Sequence, residues 1–186
     1  MTKLLRQAPN MLSALRLVAA PFTAFLILGH SYGAAFCMFI FAGLSDALDG
    51  FLAKRFSMTS QFGAWLDPAA DKFLMLASFV TLTMVGAVPL WLTALVIGRD
   101  AAIVLGVGLA RALNAPLQIR PLIVGKASTV AQVMYIALVL LLLAANLSEP
   151  RVIFAGAVIV GAFTLWSFLS YAAVWLAAVA PGRRAA

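Results

Sequence analysis

Cysteine and histidine occur once each in this chain of 186 residues, and acidic residues only six times. A lone Cys37 excludes an internal disulfide framework, and its apolar neighbours suit a buried thiol. With His30 as the single histidine, no Cys/His ligand set for zinc exists. No GxxxxGK[ST] loop is present, so a P-loop nucleotide site is excluded. Charge of either sign is scarce, at 10% of residues, whereas 65% are hydrophobic and the mean hydropathy is +1.07. A soluble domain of this size could not bury that much apolar surface, so the composition reads as an integral membrane protein.

Six stretches are long enough to cross about 30 Å of hydrocarbon at roughly 1.5 Å per helical residue. They run over residues 11–29, 33–54, 65–86, 89–111, 127–146 and 151–179, joined by short connections except for a longer loop from Asn114 to Lys126, broken by Pro116 and Pro121. No segment shows the alternation of a membrane β-barrel, no internal repeat is visible and no soluble domain separates off. The expected fold is therefore an all-α membrane protein of six helices forming one unit over residues 1–186. Residues 1–29 resemble a signal peptide in outline, but the apolar run is long, carries Arg16 and Pro21 and leads to no A-x-A site; they are read as the first span.

Cation placement gives an orientation. Lys3, Arg6, Lys54, Arg55, Arg111, Arg120, Lys126, Arg183 and Arg184 all fall on one side of this topology, against Arg151 alone on the other. The positive-inside rule puts both termini in the cytoplasm, in a multi-pass protein of the inner membrane. The net charge of +7 is then explained by topology and anionic headgroups, with no need for nucleic acid.

The little acid present is concentrated. Asp46, Asp49, Asp67, Asp71 and Asp100 lie within or at the mouth of apolar segments, with only Glu149 in a connection. On a helix, Asp46 and Asp49 stand about 60° apart, and Gly50 and Ala53 share their face. Gly63, Asp67 and Asp71 form a second stripe at spacing four and four. Pro68 suits a first turn, which would make Asp67 the cap of the third span. A single intramembrane carboxylate could serve as a cap or pair with Lys54, Arg55 or Lys72; four on two stripes point to function, because such groups are costly in a bilayer. Facing each other they would repel unless cations lay between them. Two Mg²⁺ or Mn²⁺ ions match four carboxylates in charge and in preference for hard oxygen ligands, and paired metals suit displacement at phosphorus.

These residues resemble a known pattern. Asp46-x2-Asp49-Gly50-x2-Ala53-Lys54-x8-Gly63-x3-Asp67-x3-Asp71 is similar to the D-x2-D-G-x2-A-R-x8-G-x3-D-x3-D motif of the CDP-alcohol phosphatidyltransferases, with Lys54 where an arginine is usual. "PNMLSALRLVAAP", "GRDAAI" and "GKASTVAQ" extend the resemblance over nearly the whole chain. It implies a homodimer with a polar cavity facing the cytoplasm. Asp46, Asp49, Asp67 and Asp71 would hold two divalent ions on the diphosphate of CDP-diacylglycerol. Asp71 would also be the general base that deprotonates the acceptor hydroxyl, with CMP as leaving group. Gly50, Ala53 and Gly63 would let the nucleotide approach the backbone, and Lys54 or Arg55 would contact phosphate.

Arg99, Arg111, Arg120 and Lys126 favour an anionic acceptor over one carrying an ammonium group. Glycerol 3-phosphate, phosphatidylglycerol and an inositol phosphate all fit. The run "RPLIVGKASTVAQ" and the Asp that follows Arg99 resemble the branch of the family that forms cardiolipin from phosphatidylglycerol more than the glycerol 3-phosphate branch. Arg99 and Asp100, about 100° apart on a helix, are expected to find partners elsewhere rather than each other. Thr129 and Gln132 read as interhelical hydrogen-bonding groups, the Ala157/Gly161 face as a dimer surface, and Trp65, Trp91, Trp166 and Trp175 as interfacial or packing aromatics. A carboxylate-lined ion transporter is the rival class, but it would not need Gly50, Ala53 and Gly63 at fixed offsets.

Overall fold

In the computed structural model, residues 16–56, 61–112 and 123–179 are described. They contain six helices and no strand: α1 (Arg16–Leu28 in its described part), α2 (Tyr32–Phe56), α3 (Gln61–Met84), α4 (Leu90–Ala112), α5 (Ile123–Ala144) and α6 (Pro150–Val179). The all-helical expectation holds for these residues. Three helices are long and apolar enough to cross a membrane by length and composition, over Leu90–Leu109, Ile123–Ala144 and Pro150–Leu176; the apolar stretches Arg16–Leu28 and Tyr32–Ser45 are shorter.

The helix ends follow from local chemistry. α1, α3 and α5 each stop on a residue in the left-handed region: His30 at φ 56°, Gly86 at φ 75° and Asn146 at φ 53°. At each, that residue's N–H reaches back three residues and the next N–H reaches back five, as in Ser31 N–H to Leu26 O at 2.9 Å, Ala87 to Leu82 at 2.9 Å and Leu147 to Leu142 at 2.9 Å. This paired arrangement satisfies carbonyls that a helix terminus otherwise leaves open, and Gly and Asn are the residues that best tolerate its backbone. α6 opens on Pro150, whose missing N–H costs nothing in a first turn.

Two boundaries differ from expectation. α3 begins at Gln61, so Asp67 lies in the second turn and is not a cap, and the helix runs through Pro68. Proline there removes the bond to the Ala64 carbonyl, yet its φ is compatible with a helix, and the helix continues on both sides. α5 begins at Ile123, so Lys126 sits in its first turn rather than in the loop; nothing after Pro121 prevents a helix from starting.

The chain divides into two compact units: Met1–Val88 with Ile136–Glu149, and Pro89–Tyr135 with Pro150–Ala186. In the first, α2 buries Ala35, Phe39 and Ala42, and α3 buries Ala70, Leu74, Ser78 and Leu82, each at helical spacing. In the second, α4 packs against α6. Here α5 buries Gly125, Ser128, Gln132 and Tyr135, while α6 buries Ala157, Val160, Thr164 and Ser167.

Exposure is inverted relative to a soluble protein. Arg16, Arg99 and Gln132 are buried, at 1%, 6% and 1% exposure, whereas Phe25, Leu90, Val104, Leu105 and Met134 face outward. Large apolar side chains outside and hydrogen-bonding groups inside are what a lipid solvent selects.

Candidate active site

The acidic motif lies on α2 and α3 of the first unit. For residues 46–56 and 61–69 only the helical backbone is described, and it places the motif positions in register with each helix's buried stripe. Along α2, positions 46, 49 and 53 continue at offsets of four, three and four from the buried 35–39–42 stripe. On α3, positions 63 and 67 precede the buried 70–74–78 stripe at offsets of four and three. Asp71 stands one position beside Ala70 and is half-buried. Four residues, 57–60, join the helices, so Phe56 and Gln61 lie within about 18 Å of each other. The expected sharing of a face by Asp46, Asp49, Gly50 and Ala53 therefore holds for the backbone, as does that of Gly63, Asp67 and Asp71. Lys54 and Arg55 fall in the last turn of α2, where cations complement the helix dipole.

The donor set fits hard divalent ions. Its four members are all carboxylates, carried on two helices, and carboxylate oxygen is the donor that such ions prefer. Among the described residues no group of three His, Cys, Asp or Glu side chains is placed to hold a metal; the side chains of Asp46, Asp49 and Asp67 lie outside that description.

A second polar cluster occupies the other unit, where the middle of α4, the first turns of α5 and the stretch of α6 from Thr164 to Tyr171 carry polar groups inward. Arg99 donates from Nη1 to Asp100 Oδ1 at 2.6 Å and from Nη2 to Ser167 Oγ at 2.7 Å, with its guanidinium carbon 5.8 Å from the Tyr171 ring centroid. The expectation that Arg99 and Asp100 would not pair is thus corrected. Adjacent positions diverge at Cβ, but the long arginine side chain folds back to a neighbouring carboxylate that is itself 26% exposed.

Gly125 gives this cluster room. A Cβ there would lie 3.0 Å from Tyr171 Oη and 3.3 Å from Arg99 Nη2, tight enough that the cluster would have to shift by a few tenths of an ångström to admit a side chain. Lys126, the next residue, is exposed. Deeper along the same helices Gln132 Nε2 donates to Ser128 Oγ at 3.3 Å and Thr164 Oγ1 at 3.2 Å, in keeping with its reading as interhelical glue. Thr129 instead donates to the Gly125 carbonyl of its own helix at 3.2 Å. Arg120 lies outside the described residues, and Arg111 is described only as part of helix α4.

Ser167, Tyr171 and Thr164 escaped the sequence reading. A signal was available, since they recur at offsets of three and four along an otherwise apolar helix. The Ala157/Gly161 face also needs correction as a dimer surface. Ala157 is fully buried, and a Cβ on Gly161 would lie 2.8 Å from the Trp91 ring, so this face is used within the unit. Trp91 and Trp175 are packing aromatics, the latter donating from Nε1 to the Gly106 carbonyl at 3.2 Å.

Comparison with known proteins adds to this geometry. The chain is 32% identical over 179 residues to the human protein named cardiolipin synthase (CMP-forming), covering 88% of this chain and 56% of that protein. It is 39% identical over 109 residues to the Streptomyces coelicolor protein of the same name, covering 55% and 51%. It is also 36% identical over 100 residues to a Mycobacterium tuberculosis probable phosphatidylglycerophosphate synthase, covering 50% and 48%. The chain thus spans about half the length of these curated relatives. The profile of the CDP-alcohol phosphatidyltransferases matches residues 6–180, from ahead of α1 to the end of α6 and across both aspartate helices, and the chain belongs to that family.

Proposed function

We propose that this protein transfers a phosphatidyl group from CDP-diacylglycerol to the hydroxyl of phosphatidylglycerol, giving cardiolipin and CMP. The observation that carries the reading is the eight-position aspartate motif on α2 and α3, inside a family match spanning residues 6–180. Family membership favours a transferase over an ion transporter.

Asp46, Asp49, Asp67 and Asp71 would hold two Mg²⁺ or Mn²⁺ ions, which when bound offset the diphosphate charge and stabilise the leaving oxygen. Gly50, Ala53 and Gly63 leave room for the cytidine nucleotide against the backbone, and Lys54 or Arg55 meets its phosphates. Asp71 accepts the proton of the acceptor hydroxyl as that oxygen bonds to the lipid-side phosphorus. The bond from this phosphorus to CMP breaks, and CMP leaves with the electron pair. Arg99, Arg120 and Lys126 meet the acceptor's phosphate, which selects against choline, serine and ethanolamine.

The same reading makes the protein a six-span inner-membrane homodimer, with both termini and a polar cavity on the cytoplasmic side. The one-sided distribution of cations supports this topology. Carboxylates at the cytoplasmic ends of α2 and α3 would meet a donor whose phosphates lie at headgroup depth.

Glycerol 3-phosphate is the second acceptor to consider, since one relative carries the phosphatidylglycerophosphate synthase name. The deciding experiment supplies CDP-diacylglycerol with each acceptor separately to purified protein with Mn²⁺ or Mg²⁺. Cardiolipin and CMP from phosphatidylglycerol support the proposal. A lipid phosphate from glycerol 3-phosphate, with no cardiolipin, moves the protein to the other branch. No CMP release with any alcohol acceptor refutes the transferase reading. Chelation should abolish turnover, and Mn²⁺ or Mg²⁺ should restore it.

A further inference from the structure

We propose that Ser167 and Tyr171 of α6 are positioning residues for the anionic acceptor, acting through the Arg99 guanidinium. The inference rests on the reading above, in which Arg99 meets an acceptor phosphate.

Arg99 is 94% buried, and its contacts divide its donors unequally. Nη1 is on Asp100, Nη2 is on Ser167, and the ring of Tyr171 stands against the guanidinium. Nε is buried and has no hydrogen-bond partner among the described residues. An arginine serving only to join α4 and α6 would gain by satisfying that donor too, since a buried N–H left unbonded is costly. The Nε and Nη2 protons share one edge of the guanidinium plane, the edge that takes an oxyanion in two parallel bonds. Ser167 takes one of the two Nη2 protons, and Nε–H keeps its own. The Tyr171 ring limits tilt of the plane, and Gly125 leaves space for both groups. Asp100 lowers the net charge of the cluster, so specificity depends on the aim of this edge more than on charge alone.

The test uses the full chain in nanodiscs, comparing wild type with Ser167→Ala, Tyr171→Leu and Tyr171→Phe. Ser167→Ala and Tyr171→Leu should raise KM for phosphatidylglycerol roughly three- to twenty-fold, the range expected from an interhelical hydrogen bond or a partly desolvated cation–π contact. KM for CDP-diacylglycerol should stay put, and kcat at saturating acceptor should move by less than about twofold. Tyr171→Phe keeps the ring and should raise the acceptor KM less than Tyr171→Leu. Acceptor KM unchanged in both altered proteins overturns the proposal. So does an equal rise in both KM values with a lowered thermal midpoint, the mark of general helix packing, or a Tyr171→Phe loss equal to that of Tyr171→Leu. Equilibrium binding of phosphatidylglycerol in the same nanodiscs needs no turnover. If wild type fails to release CMP, the transfer reading falls; weaker phosphatidylglycerol binding in the two variants would still support the positioning role, and unchanged binding would refute it.

Discussion

Arg99 Nη2 donates to Ser167 Oγ at 2.7 Å, joining α4 to α6 across 68 residues of sequence. The same guanidinium is neutralised by its own neighbour, Asp100, at 2.6 Å. One cation thus ties two helices together, while its counter-ion comes from the helix that carries it. In a low-dielectric interior such an arrangement is easily damaged from one side, because removing one charge takes this counter-ion from the other.

Arg99→Ala should therefore cost about 2–3 kcal/mol, less than the ~3–5 of a fully buried pair because Asp100 is 26% exposed. Ser167→Ala removes one interhelical hydrogen bond and should cost about 0.6 and at most about 1.7 kcal/mol. Unfolding in mixed micelles measures both. A double-mutant cycle should return a coupling of the same size as the serine effect, and additivity would show that the bond contributes nothing.

Gly161→Ala places a methyl 2.8 Å from Trp91 Cζ3 and 3.0 Å from Cη2. The indole cannot flex as an aliphatic chain does, so overpacking of about 1–3 kcal/mol is expected, and Trp91→Leu in the same protein should remove most of that penalty. Gly98→Ala is the control. Nothing lies within 4 Å of that site, and an alanine in the helix interior should stabilise by up to about 1 kcal/mol. Thermal midpoints of the four proteins test both statements.

If Asp71 is the base, Asp71→Asn should lower CMP release roughly 10²- to 10⁴-fold while CDP-diacylglycerol still binds. Asp46→Asn and Asp67→Asn should instead weaken Mn²⁺ and nucleotide binding together. Mn²⁺ affinity unchanged in both would count against a site of two shared metals, and wild-type turnover in Asp71→Asn would remove that residue as base.

At the end of α2, Lys54→Arg should be tolerated, since a guanidinium contacts phosphate at least as well as an ammonium. Arg55→Ala should weaken CDP-diacylglycerol binding if Arg55 has taken over the phosphate contact from position 54. A loss at Lys54→Ala with none at Arg55→Ala would return that role to Lys54.

Helix location and motif register were legible in the sequence because both are local. Apolar length sets a span, and fixed offsets set which positions share a face. Positions 46, 49, 67 and 71 therefore fall in or beside the buried registers of α2 and α3. Exact ends were less legible. Pro68 looked like a start, but the helix begins at Gln61 and runs through it. Pairings across the chain were not legible at all. Whether Arg99 turns to Asp100 or away depends on what α5 and α6 present there, on Gly125 having no Cβ, and on Ser167 and Tyr171 recurring along α6. The small face at Ala157 and Gly161 suited a second chain as well as it suited Trp91, and only packing assigned it to the indole. By itself the sequence determined the class, the helices and the acidic motif, since helical periodicity and the cost of charge in lipid act on each segment alone. The tertiary structure decided the partners, because a buried donor is satisfied by whichever acceptor the packed helices bring within about 3 Å.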